Sequence, residues 1–109
     1  MVNSLSHLDA LIAVVRFTEQ QESAYSALIH FAQDKVVYTL TREDLAYVLQ
    51  RVLSLDIAIE ELELWAGLLE IRGDIDHRQI EGALYALANP EQMGSLTLEK
   101  VRTLQTLIE

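Results

Sequence analysis

Cysteine is absent from this 109-residue chain. That removes disulfides, thiolate zinc sites, iron–sulfur clusters and thiol nucleophiles together, and leaves the fold to be held by its apolar core. Proline occurs once and glycine four times, too few for an all-β domain of short strands and tight turns. The four glycines, Gly67, Gly73, Gly82 and Gly94, stand apart from one another, so no phosphate-cradling loop is written here. Cations are scarce as well: 8 Lys and Arg face 17 Asp and Glu, for a net charge of -9. A groove for nucleic acid or an anionic membrane surface calls for the opposite sign, and direct contact with either is not expected. No uninterrupted apolar run approaches the ~18 residues of a membrane span. Met1-Val2-Asn3-Ser4 carries no positive residue ahead of the first apolar stretch, which Asp9 interrupts. It does not read as a signal peptide, and a cytoplasmic protein is expected.

What is present is a globular composition, 50% hydrophobic and 23% charged, read as one domain over residues 1–109. The dominant period is helical. Leu5, Leu8, Ile12 and Val15 fall on one stripe behind a cap at Ser4 or Ser6, and that helix ends near 18–21. A second segment over Glu22–Gln33 would bury Tyr25, Leu28, Ile29 and Ala32; whether the two form one bent helix stays open. Val36–Leu40 is β-branched but has no evident partner strand, so it is predicted to be an extended connector, with a short strand as the open alternative. Thr41 and Asp44 form a capping box ahead of a helix burying Leu45, Val48, Leu49 and Val52. Ser54 or Asp56 caps a fourth helix that reaches Ile71, with Gly73 as its stop and Arg72 at the negative end of its dipole. Asp76 and Gln79 suggest a further capping box before a helix with Ile80, Ala83, Leu84 and Leu87 on one face. Asn89-Pro90 ends that helix, and Thr97 caps a last one with Val101, Leu104 and Ile108. The fold expected is all-α, a compact bundle of five or six short helices.

The fourth helix is the informative one. Asp56, Glu60, Glu63, Glu70 and, beyond its end, Asp74 fall within a narrow arc at about 100° per residue. Gly67 leaves a gap in that arc. The opposite face carries Ala58, Leu62, Trp65 and Leu69, which are expected in the core. Between Asp56 and Glu81 eight acids meet two arginines, which places -6 of the chain's -9 in one quarter of its length. Caps and first-turn positions account for Asp56, Asp76 and Glu60. The rest is like-charge crowding, which costs a helix a few tenths of a kcal/mol per pair and which a cationic partner would offset. A solvated face that merely keeps the protein in solution is the plain alternative. Fields of this kind mostly raise association rates, whereas affinity comes from desolvated anchors. Leu64, Ile71 and Tyr85 are the anchor candidates.

Other chemistry has less support. Glu70, Asp74, Asp76 and His77 cluster at a turn, but the spacing is not an EF-hand loop of about twelve residues, and His7 and His30 lie far off for a zinc site. There is no nucleophile elbow, and exposed carboxylates keep ordinary acidity. No cofactor, no metal and no enzymatic activity is expected.

Trp65, then Glu70-Ile71-Arg72-Gly73-Asp74-Ile75-Asp76, then Leu84-Tyr85-Ala86-Leu87-Ala88-Asn89-Pro90-Glu91, then Gly94-Ser95-Leu96-Thr97 resemble a family of small acidic bacterial immunity proteins. The family serves polymorphic-toxin and contact-dependent growth-inhibition systems, and the resemblance covers residues 62–107. The tyrosine-rich motif of colicin nuclease immunity proteins is missing, which leaves the toxin's identity open. The resemblance implies a protein without enzymatic activity that binds its cognate toxin domain in the cytoplasm and blocks it. Many such toxins are nucleases, basic because they grip phosphates. Glu60, Glu63, Glu70, Asp74 and Asp76 are then the expected charge contacts, with Leu64, Ile71 and Tyr85 as apolar ones. The alternative is a self-associating helical adaptor, in which the apolar surplus of the fourth helix builds a homodimer.

Overall fold

The computed structural model of the chain describes residues 5–92 and 94–108; Met1–Ser4, including the alternative cap at Ser4, lie outside them. Among the described residues there are six α-helices and one two-stranded sheet: α1 His7–Arg16, α2 Gln21–Leu28, β1 Tyr38–Thr39, α3 Arg42–Leu53, α4 Ile59–Ile71, β2 Ile75–Asp76, α5 Glu81–Ala88 and α6 Leu98–Ile108. The architecture is the expected mostly-α bundle, and no described helix is long and apolar enough to cross a membrane.

The core gathers the apolar faces of α1, α3, α4 and α5. Leu11, Val14 and Val15 meet Leu45, Val48, Leu49 and Val52, and all seven are fully buried alongside Leu62, Trp65, Leu69 and Leu84. The Trp65 indole N–H donates to the Val15 carbonyl at 3.2 Å, so the largest buried side chain also has its one donor satisfied.

Three local expectations about helix starts hold. Ser6 caps α1, its hydroxyl accepting from the Asp9 amide. Thr41 and Asp44 form the full reciprocal box at α3. Thr97 likewise accepts from the Lys100 amide at 3.2 Å. The question left open between the first two segments is answered: α1 and α2 are separate helices, because Phe17 turns left-handed at φ 51°. Three other expectations need correction. α2 stops at Leu28 and buries Ala24 and Leu28, leaving Tyr25 at the surface and Ile29 80% exposed; the buried line runs i, i+4 from Ala24. α4 starts one turn later than read, with exposed Ala58 as its N-cap, because residues 54–57 are used in closing α3. The Asp76–Gln79 box does not form: the Asp76 carboxylate accepts from the Arg78 backbone and guanidinium instead, and a short 3-10 turn at Arg78–Ile80 leads into α5.

The connector at 36–40 is in part a strand. Tyr38 and Thr39 pair in parallel with Ile75 and Asp76, and Val37 and Leu40 amides donate to the Asp74 and Asp76 carbonyls at 2.8 Å each. Parallel pairing needs a long crossover, here α3 and α4 together. Gly73 is required for this approach rather than for a left-handed helix stop: a Cβ there would lie 2.4 Å from the Gln33 carbonyl oxygen.

Two buried aspartates fasten the ends of α1. At its C-terminal end, Asp44 receives Arg16 at 2.8 Å, the Tyr38 hydroxyl at 2.7 Å and the Thr41 amide at 3.1 Å. The Tyr38 phenol is pushed up to about 12 by burial and by its hydrogen bond to this carboxylate. At its N-terminal end, Asp74, fully buried, takes both Arg72 nitrogens at 2.8 and 2.7 Å and His7 Nε2 at 2.7 Å. The His7 ring is stacked on Phe31, 4.6 Å between centroids. Arg72 is thus turned inward to Asp74 and does not serve the α4 dipole as the sequence suggested.

Burial raises the Asp74 carboxyl's affinity for a proton. The hydrogen bonds from Arg72 and His7 and the guanidinium charge outweigh it and hold the group below its ordinary 3.8. A carboxyl so depressed contributes its full stability above the unfolded value, and the contribution fades as pH falls through the folded one. Replacing Asp74 by Asn leaves Arg72 buried without a counter-charge and should cost about 3 kcal/mol by urea denaturation at pH 7. The gap between wild type and D74N should narrow below pH 3.8; a gap constant down to pH 2 would exclude this assignment.

Candidate functional site

The acidic arc read from the sequence divides once the chain is folded. Asp74 lies in the interior and is withdrawn from any surface by Arg72 and His7. Asp56 is exposed but paired with Arg51 Nε at 2.7 Å. Asp76 is paired with Arg78 at 2.7 Å, and this hydrogen-bonded pair lowers its carboxyl to about 2. Three of the carboxylates in that quarter of the chain are therefore neutralised by arginines of the same chain. Glu60, Glu63 and Glu70 are not ion-paired among the described residues, and they share the outward face of α4 with Leu64 (75% exposed) and Ile71 (78% exposed). Glu70 and Ile71 stand at the C-terminal end of α4, about 16 Å from Glu60 at 1.5 Å per residue. His77 lies against that end, with its Nε2 3.2 Å from the Glu70 carbonyl and its Nδ1 buried without a partner. Tyr85 is half exposed on α5, the helix packed against α4. No group of three or more His, Asp or Glu among the described residues is placed to hold a metal ion.

The N-terminal half of α4 is where the unpaired carboxylates meet apolar relief. Three shallow grooves adjoin there. One, about 300 Å³, runs between Phe17, Tyr25, Glu61, Leu64 and Leu68. The second, about 260 Å³, lies among Val52, Leu55, Ile57, Ile59, Glu60 and Leu98. A third, about 610 Å³, is bounded by Ile59, Glu60, Glu63, Pro90, Glu91 and Leu96. Ile59 and Glu60 edge both the second and the third groove, while Glu61 and Leu64 edge the first, on the side of α4 that faces α2. Glu61 and Glu91 belong to these grooves, although the sequence reading gave neither a contact role. The missing signal was tertiary: Glu91 reaches α4 only because Asn89-Pro90 ends α5 beside it.

The walls of two grooves are built at a backbone cost. Phe17 and Leu55 both adopt left-handed conformations, φ 51° and 65°. Each occupies the place after a helix where glycine is the usual residue. The amides of Phe17 and Thr18 donate to the carbonyls of Val14 and Ala13, and those of Leu55 and Asp56 to Val52 and Arg51. Arg51 joins the two turns: its Nη1 donates to the carbonyls of Arg16 and Phe17 at 2.7 and 2.8 Å, its Nε reaches Asp56, and its guanidinium lies over Tyr47. Leu55 is 77% exposed, so packing returns little for the strain it bears. A side chain in this region costs roughly 1–2 kcal/mol relative to glycine. Leu55→Gly should therefore stabilise the fold by about 1 kcal/mol, read as a raised urea midpoint with unchanged slope; a lowered midpoint would show that Leu55 is needed for folding.

In comparison with known proteins, no family model, no curated protein and no solved structure matches this chain.

Proposed function

We propose that the chain is an immunity protein that binds a cationic toxin domain, one acting on nucleic acid, and blocks it by covering its active site or an adjacent surface. The observation that carries this reading is the surface around the first turns of α4. There Glu60, Glu61, Glu63 and Glu91 alternate with Leu64, Leu55, Ile59 and Leu96, and the chain's own arginines Arg16, Arg51, Arg72 and Arg78 are committed to aspartates elsewhere. Carboxylates that are not ion-paired among the described residues steer a basic partner, and the apolar hollows between them supply the desolvated contacts that hold it. The resemblance of residues 62–107 to acidic immunity proteins agrees in sign and in size. Inhibition of this kind is steric and electrostatic and asks no chemistry of this chain.

Self-association is the second reading, favoured by the exposure of Leu55 and Leu107. The same surface would set Glu60 against Glu60 of a second copy, and each copy carries -9, which opposes it. Light scattering at micromolar concentration should report a monomer; a dimer would favour this reading instead.

The test of the first reading has two steps: the gene immediately upstream should encode a secreted protein that ends in a basic domain, and this chain should rescue cells that express that domain. E60K/E63K should lose rescue and weaken the complex by about 100-fold or more at low salt, since each reversal turns an attraction into a repulsion. E43K, at the far end of α3, serves as the control and should rescue fully. Undiminished rescue by E60K/E63K, or an upstream gene that encodes no such domain, would overturn the proposal.

A further inference from the structure

The groove between α2 and α4 differs from its neighbours in chemistry. Phe17 and Tyr25 give it aromatic walls, Leu64 and Leu68 aliphatic ones, and Gln21 closes it. The Gln21 amide is already spent, donating to the Val14 carbonyl at 3.0 Å. Glu61 is the one charged group on the rim, and the only hydrogen bond to its carboxylate among the described residues is a long one from the Ala58 amide, 3.4 Å. It also lies close enough to Tyr25 that, second to burial, its charge pushes the Tyr25 phenol upward.

An apolar side chain filling this groove would strip water from Glu61 and return no counter-charge, and burial of an unpaired charge is costly. An acidic side chain would be repelled. A side chain with a long methylene stem and a cationic head satisfies both halves: the stem lies on Leu64 and Leu68, and the head meets the Glu61 carboxylate beside the Tyr25 ring. The length is suitable, since Glu61 and Leu64 lie three residues apart on one side of α4, about 5 Å along its axis. Phe17 fixes the wall opposite, held by its left-handed turn and by Arg51 on its carbonyl.

We infer that this groove is an anchor pocket for one arginine or lysine of the bound protein, whose neighbouring apolar residues cover Leu64. The inference rests on the reading that α4 docks a cationic partner, and it assigns the chemistry of one contact within that surface.

The probe is a synthetic amphipathic helical peptide with leucines on one face and arginines flanking them, titrated into the isotope-labelled full chain and followed by amide and side-chain NMR. Shifts should concentrate at Tyr25, Glu61, Leu64 and Leu68. Glu61→Gln and Leu64→Ala, both at exposed positions, should each weaken binding about tenfold without lowering the thermal midpoint. A peptide with glutamine in place of arginine should bind at least tenfold more weakly. Shifts confined to Glu60, Glu63 and Leu96 would keep the docking surface and remove this anchor. Equal binding by the glutamine peptide would remove the cation. Binding of agmatine at the groove with no binding of the arginine peptide would replace a protein partner by a free alkyl cation and overturn the inference. No binding of any probe would overturn both the anchor and the docking surface beneath it.

Discussion

Helix α1 is ten residues long and is held at both ends by aspartates from elsewhere in the chain. Asp44, from the start of α3, grips Arg16; Asp74, from the turn after α4, grips His7. Between these clamps α1 presents Leu11, Val14 and Val15 to the core and offers the Val15 carbonyl to Trp65. A helix this short has little stability of its own, and an apolar stripe alone allows it to slide or rotate by a fraction of a turn. Two directional, charge-assisted contacts remove that freedom. The position of α1 then sets the Phe17 turn, the seat of α2 and one wall of the surface around α4.

The two kinds of acid do different work. Four of the six aspartates are paired with arginines inside the chain, Asp44, Asp56, Asp74 and Asp76. No glutamate among the described residues is ion-paired. The short aspartate side chain fixes geometry near the backbone, as at the Thr41 box and the Arg78 turn, where the carboxylate binds amide and guanidinium together. The longer glutamate reaches outward and makes the field. Half of the chain's eight cations are consumed by the first arrangement, which leaves thirteen carboxylates against the other four cations. Residue count alone had placed all these carboxylates in one class; burial and the direction of the arginines separate them.

Much of the fold was legible because its signals are local. The Thr41–Asp44 box, the Asn89-Pro90 stop and the stripe of Leu45, Val48, Leu49 and Val52 depend on spacings of three and four residues, and each is found where the sequence placed it. What was not legible depends on distant partners. Tyr38–Thr39 reads as a strand only beside Ile75–Asp76. Phe17 and Leu55 give no hint of left-handed backbone, since glycine is the residue that announces it. Arg72 was placed at a helix dipole because nothing nearby in sequence says that Asp74 folds beneath α1. Of the residues the sequence singled out, Glu60, Glu63 and Leu64 lie on the first turns of α4, Glu70 and Ile71 lie further along the same helix, and Asp74 is in the interior.

The modest seat of α2 has a consequence for how the molecule breathes. This helix buries Ala24 and Leu28 and lacks a side-chain cap, and the segment after it is tied back through Phe31 on His7 and Gln33 on the Gly73 amide. Its backbone amides are therefore set to exchange with solvent through a local opening of residues 21–33, at a free energy well below that of the α1–α3–α4 core. Because α2 packs chiefly on α1, such an opening would uncover the flank of α1 beside Phe17 and leave the rest of the core closed.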